Sequence, residues 1–183
     1  MKKLPVYVKY PLVLGVVCLI CGGALAGIYA WTNPIYQQHV AEKKTAALGN
    51  LLIKDGLTQD GDLNALFADG GTPTYVTDAY SFKVTGNTSD YYYYNAETAK
   101  GYEGTITFGA LVDPSYSIIG FTIVDSDESS IGLGVAQKLQ VSITVDNPYV
   151  SNGDLIMSGA SAKTKPVLVA AFESIIASAK TIN

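Results

Sequence analysis

The chain predicts an α+β fold, with a single N-terminal transmembrane helix followed by a small domain built from an antiparallel sheet and a C-terminal helix. Three observations carry that prediction. Tyr10 to Trp31 is a run of 22 residues without a charge. From Tyr75 to Val124, β-branched and aromatic residues dominate and are punctuated by turn residues. A proline-started stretch from Pro166 to Ala179 spreads Val167, Val169, Ala170, Phe172, Ile175 and Ile176 over one broad apolar surface.

The first element is the membrane segment. At 1.5 Å per residue a helix of that length covers about 33 Å, enough for the hydrocarbon core of a bilayer. Lys2, Lys3 and Lys9 precede it, while the residues just after it bring only neutral groups and His39. The positive-inside rule then leaves the N-terminus cytoplasmic and everything after Trp31 extracytoplasmic. Tyr29 and Trp31 stand where aromatic anchors meet the outer interface. Ala24-Leu25-Ala26 also fits a signal-peptide cleavage site. The apolar run continues past it to Trp31, which favours an uncleaved anchor. A lipoprotein is disfavoured because Ile20, not a small residue, precedes Cys21. The expected organisation is a cytoplasmic N-terminus (1–9), an anchor (10–31), a juxtamembrane helix and loop (32–74) and a domain (75–183).

Asn33-Pro34 is expected to break the helix. A second helical pattern runs from Ile35 to Ile53, with Ala46, Ala47, Leu51 and Leu52 on one face and Gln37, Gln38, Glu42, Lys43 and Lys44 in water. Residues 54–74, rich in Gly, Asp and Thr, read as loop. Tyr75–Val84, Tyr91–Tyr94, Gly104–Val112 and Ser117–Val124 read as strands, the last two joined as a hairpin by the Asp113-Pro114-Ser115-Tyr116 turn. Alternation along Tyr91–Tyr94 sends two rings inward and two outward. Gly132-Leu133-Gly134 reads as a second glycine-rich turn, followed by a short helix or strand through Val145.

Chemistry-bearing residues are few. The net charge of −4 supplies no basic stripe for nucleic acid. Cys18 and Cys21, the only cysteines, fall in the membrane segment, so the rest has no thiol and no disulfide. His39 alone cannot build a multi-histidine metal cluster. Asp125, Asp127 and Glu128 read as solvated loop acids. The most informative stretch is Ser158-Gly159-Ala160-Ser161, just ahead of the final helix. Free N–H groups and the positive end of the dipole at a helix start suit a phosphate. Gly159 and Ala160 give clearance, and Ser161 offers an oxygen for an ester or, alternatively, a helix cap. Thr164 is the second candidate oxygen and the better cap, with Lys163 and Lys165 beside it.

Four features now occur in one order: Trp31-Thr32-Asn33-Pro34-Ile35 closing the anchor, Gly101-Tyr102-Glu103-Gly104, then Glu128 to Gly134, then Ser158-Gly159-Ala160-Ser161. This arrangement resembles the FMN-binding domain family, found in Rnf electron-transport complexes and in sodium-pumping NADH:quinone reductases. The resemblance covers nearly the whole chain. It implies an FMN-binding domain with FMN joined by a phosphoester to Ser161, which stands where the family carries Thr, and installed by a flavin transferase. It also implies that Ser130, Gly132, Leu133 and Gly134 lie near the isoalloxazine ring, with Ser158, Gly159 and Ala160 completing the cofactor site. The implied function is electron carriage in an Rnf-like ion-translocating complex of several membrane proteins, with no catalytic side chain of its own. Two other readings stay open: a stand-alone extracytoplasmic flavoprotein for electron export, and a flavin-free tethered binding module. The second is suggested by Leu155, which stands where the family has an acid.

Overall fold

Side chains that alternate across a strand build sheets only where neighbouring strands share their register, and here five consecutive strands do. The computed structural model describes residues 6–67, 71–151 and 163–182. Helix α1 (Val6–Lys54) is followed by β1 (Gln59–Ala65), β2 (Val76–Val84), β3 (Asp90–Glu97), β4 (Ile106–Val112) and β5 (Ile118–Ser126), then α2 (Ser130–Ser142) and α3 (Thr164–Thr181). The strands lie in chain order, β1-β2-β3-β4-β5, and every adjacent pair is antiparallel. The chain divides into two compact units, Met1–Glu42 and Lys43–Asn183.

The first unit is helical throughout its described residues. Leu14–Tyr36, 23 residues with a mean hydropathy of 2.0, is long and apolar enough to cross a membrane. Leu19, Ile20, Leu25 and Trp31 are all exposed on it. The break expected at Asn33-Pro34 is absent, because α1 runs through both residues. Proline removes one helical hydrogen bond, yet a helix beside apolar surroundings keeps its remaining bonds because no other partner is available there.

In the second unit, the last turns of α1 lie on one face of the sheet. Leu48, Leu51 and Leu52 are buried with Phe82, Val84, Tyr93, Leu111 and Ile119. Leu48 belongs to this face, whereas Ala46, expected there, is exposed. Lys44, expected in water, is half-buried and paired with Asp78. The other face packs Tyr92, Tyr94, Phe108 and Phe121 against Val135 and Leu139 of α2 and Leu168, Phe172 and Ile176 of α3. Phe108, Phe121 and Tyr149 surround Phe172 with ring centroids 5.6, 5.4 and 5.3 Å away. Because both faces are covered, Tyr92, Tyr93 and Tyr94 are all buried, which corrects the expectation that alternation leaves two rings outside.

Residues 54–74 are not simply loop, since β1 occupies Gln59–Ala65. Its side chains are mostly exposed and its register with β2 shifts between Asp60 and Asn64. A polar edge strand of this kind carries no apolar alternation to read. The β4–β5 hairpin forms as expected. Asp113 Oδ1 accepts the N–H groups of Ser115 (3.1 Å) and Ser117 (2.8 Å), and Tyr116 takes the left-handed conformation at φ 63°.

Candidate functional site

Gly101, Gly132 and Thr164 meet at one end of the sheet around Glu128. It follows β5 and is buried, with 9% of its surface exposed. Its Oε1 accepts the N–H of Glu103 at 2.9 Å and of Ser129 at 3.1 Å, and its Oε2 accepts the N–H of Tyr102 at 3.0 Å. The carboxylate thereby ties the loop between β3 and β4 to the start of α2. The expectation of a solvated loop acid is wrong for Glu128, because those N–H groups replace its water. Asp125 and Asp127 are exposed.

Glycine makes that clasp possible. A Cβ on Gly101 would overlap Glu128 Oε2, one on Gly132 would overlap Glu128 Cγ, and one on Gly104 would overlap the Asp127 carbonyl. The Gly101 position also lies 3.2 Å from Thr164 Oγ1, so the start of α3 closes the same cluster. Lys163 Nζ sits 5.8 Å from the centroid of the Tyr102 ring.

Gly132-Leu133-Gly134 is not a turn. Ser129 is the N-cap of α2, its side chain accepting the Gly132 N–H at 3.4 Å, and Ser130 is the first helical residue. A serine cap offsets the cost of two glycines within the first turns of the helix. Ser130 is exposed, Gly132 is buried, and Leu133 and Gly134 are half-buried. Among the described residues outside its own helix, nothing stands within 4 Å of a Cβ built on Gly134.

Ser158, Gly159, Ala160 and Ser161 lie outside the described residues. The chain on either side of them is held by α3. Tyr149 donates to Glu173 Oε1 and Ser151 donates to Glu173 Oε2, both at 2.6 Å. Burial, and then the bond to Glu173, push the Tyr149 phenol above its ordinary value of 10. On the other side, Thr164 is the first residue of α3 and fully buried, so it is neither the cap nor an accessible ester oxygen. The N-cap is Lys163, which makes no side-chain cap bond.

Tested against a phosphorylated planar cofactor, the residues fit at two places. The first turn of α3 offers the dipole and basic neighbours that a phosphate needs, and Gly134 offers open backbone. Gly132 does not fit ring contact, since Glu128 occupies the space that its missing side chain leaves. Sequence reasoning missed the burial of Glu128; the one local signal was Gly132 four residues after it, since Gly101 comes to the same carboxylate only in the fold. No protein-family model, curated protein or solved structure matches the chain.

Proposed function

We propose that this chain is a membrane-anchored flavoprotein that carries electrons through FMN esterified to Ser161, as one member of an Rnf-like ion-translocating complex with its domain outside the cytoplasm. One observation supports the reading above others. Two of the segments that carry the family resemblance are far apart in sequence, yet Gly101 of one and Glu128 and Gly132 of the other meet in one cluster, and Thr164 at the start of α3 closes it. FMN supplies one- and two-electron exchange when bound. The chain's own task is to hold and orient. The α3 start and the Lys163 and Lys165 side chains balance phosphate charge, while Glu128 fixes the loop that carries Tyr102. The partners on this reading are the other membrane proteins of the complex and a flavin transferase, with no nucleic acid.

The flavin-free tethered module is favoured by a different observation, the filling of the Gly132 face by Glu128. Co-expression with a flavin transferase separates the two. Intact mass and in-gel fluorescence should show covalent flavin on the native chain, none on Ser161→Ala, and retention on Ser161→Thr. A colourless native chain beside an active transferase refutes the flavoprotein reading. Flavin on Ser161→Ala refutes the attachment site.

A further inference from the structure

A second carboxyl group, with one oxygen sealed from solvent, lies away from that cluster at the opposite kind of helix end. Asp55 directly follows α1, where the chain closes with Gly56 at φ 65° and two return bonds: Gly56 N–H to Ile53 O at 3.3 Å and Leu57 N–H to Leu52 O at 2.9 Å. The sealed oxygen is Oδ2, which has no hydrogen-bond partner among the described residues. It lies against β5, 3.0 Å from where a Cβ of Gly120 would stand, with Leu51 Cδ2 at 3.1 Å and Leu111 Cβ at 3.2 Å from that point. This is an apolar setting for a carboxyl group.

Two physical effects disfavour a charge on Asp55. Burial penalises the ionised form, and the negative end of the α1 dipole does the same. One cation opposes them, Lys54 of the same helix. Its ammonium is engaged elsewhere, donating to Gln140 O at 2.7 Å and Ile143 O at 3.1 Å at the end of α2. From β5 and β4 the groups nearest the contact are Gly120 and Leu111, which carry no charge, and the end of α2 and its C-cap present the Gln140 and Ile143 carbonyls to Lys54.

We propose that Asp55 is a proton-operated latch on the last turn of α1: neutral, it lets that turn lie on β5, and ionised, it drives the turn toward water. Desolvation holds the Asp55 carboxyl above its ordinary value of 3.8, against the smaller pull of Lys54. The sign follows from linkage. A carboxyl that stays protonated longer in the packed state favours packing below the ordinary value. That contribution is lost as pH rises through the raised one. The device does not depend on flavin, so it stands or falls separately from the functional reading above.

The test uses the full chain in detergent micelles. The Asp55 carboxyl carbon is titrated by NMR, and hydrogen exchange is followed at the Asp55, Gly56 and Leu57 amides. Across about pH 4 to 8, protection corrected for intrinsic rates should fall by up to about tenfold per pH unit within the titration window. Asp55→Asn should flatten that dependence. Titration of Asp55 at or below its ordinary value overturns the latch, as does protection that stays level while Asp55 titrates. An Asn variant with the wild-type pH profile overturns it equally. If that variant does not fold, the titration and exchange of the native chain still decide.

Discussion

Replacing Gly132 by Ala asks whether Glu128 is clasped as the geometry has it. On helix propensity alone the change favours α2, since Ala is better than Gly by about 1 kcal/mol. The new Cβ, however, would overlap Glu128 Cγ, Cδ and Oε1. These atoms are not the loose end of a surface chain, because Tyr102, Glu103 and Ser129 hold the carboxylate. Glu128 must therefore leave its place. Hydrogen bonds to a charged acceptor contribute about 1.5–3 kcal/mol each. Tyr102 and Glu103 lie at the surface and regain water, so the combined loss is about 2–4 kcal/mol. Subtracting the propensity gain leaves a net destabilisation of about 1–3 kcal/mol. In a Glu128→Ala background the three nearest colliding atoms are gone, and the same substitution should stabilise by up to about 1 kcal/mol. Urea midpoints of the four chains, with hydrogen exchange at the Tyr102 and Glu103 amides, measure this reversal of sign. Equal effects of Gly132→Ala in the two backgrounds would refute the clasp.

Three further outcomes are expected. Phe172→Ala removes the ring at the centre of the aromatic cluster and should cost about 3–5 kcal/mol; an unchanged denaturation midpoint would show that this face of α3 is not core. Burial raises the phenols of Tyr93 and Tyr94, the latter to about 12, so the folded state keeps protons that the unfolded chain loses near its ordinary value of 10. Stability should fall as pH rises above about 10, less steeply in Tyr94→Phe, and a level alkaline profile in chemical denaturation would contradict the burial. If the domain is extracytoplasmic, protease should leave it intact in inside-out vesicles and digest it in right-side-out ones, and cleavage in the inside-out preparation reverses the orientation.

The fold was legible where one residue pattern had one structural meaning. Strands β2 to β5 and helix α3 announce themselves through β-branched runs and a broad apolar surface. The Asp113-Pro114-Ser115-Tyr116 turn supplies its own side-chain acceptor. What failed to show were elements whose stabilisation comes from elsewhere in the chain. Strand β1 borrows its backbone partners from β2 while exposing polar side chains, so Gln59–Ala65 looks like loop. Alternation puts two of the four rings outward, and Tyr93 is buried because Leu48, Leu51 and Leu52 cover its face. Alternation reports which residues share a face, but not whether both faces are buried.

The candidate site was legible in its parts and not in its arrangement. Gly132 and Glu128 each stand out by residue type, and locally they read as a turn and a solvated acid, while Gly101 stands out only within the Gly101-Tyr102-Glu103-Gly104 motif. Together they have a common cause. A buried carboxylate that must accept several backbone N–H groups needs backbone within about 3 Å on several sides, and side chains at those positions would exclude it. Glycine at Gly101 and Gly132 is therefore explained by Glu128 rather than by a turn or a ring. This shifts the weight of the flavin reading onto α3 and the open backbone at Gly134. The same reasoning separates the two acids. Glu128 sits beside a helix start, with N–H donors at both oxygens. Asp55 sits at a helix end with one oxygen unmatched, where burial disfavours its charge. A carboxylate clasp holds a loop in place, whereas a carboxyl with one sealed and unmatched oxygen is the group that the proposed latch needs.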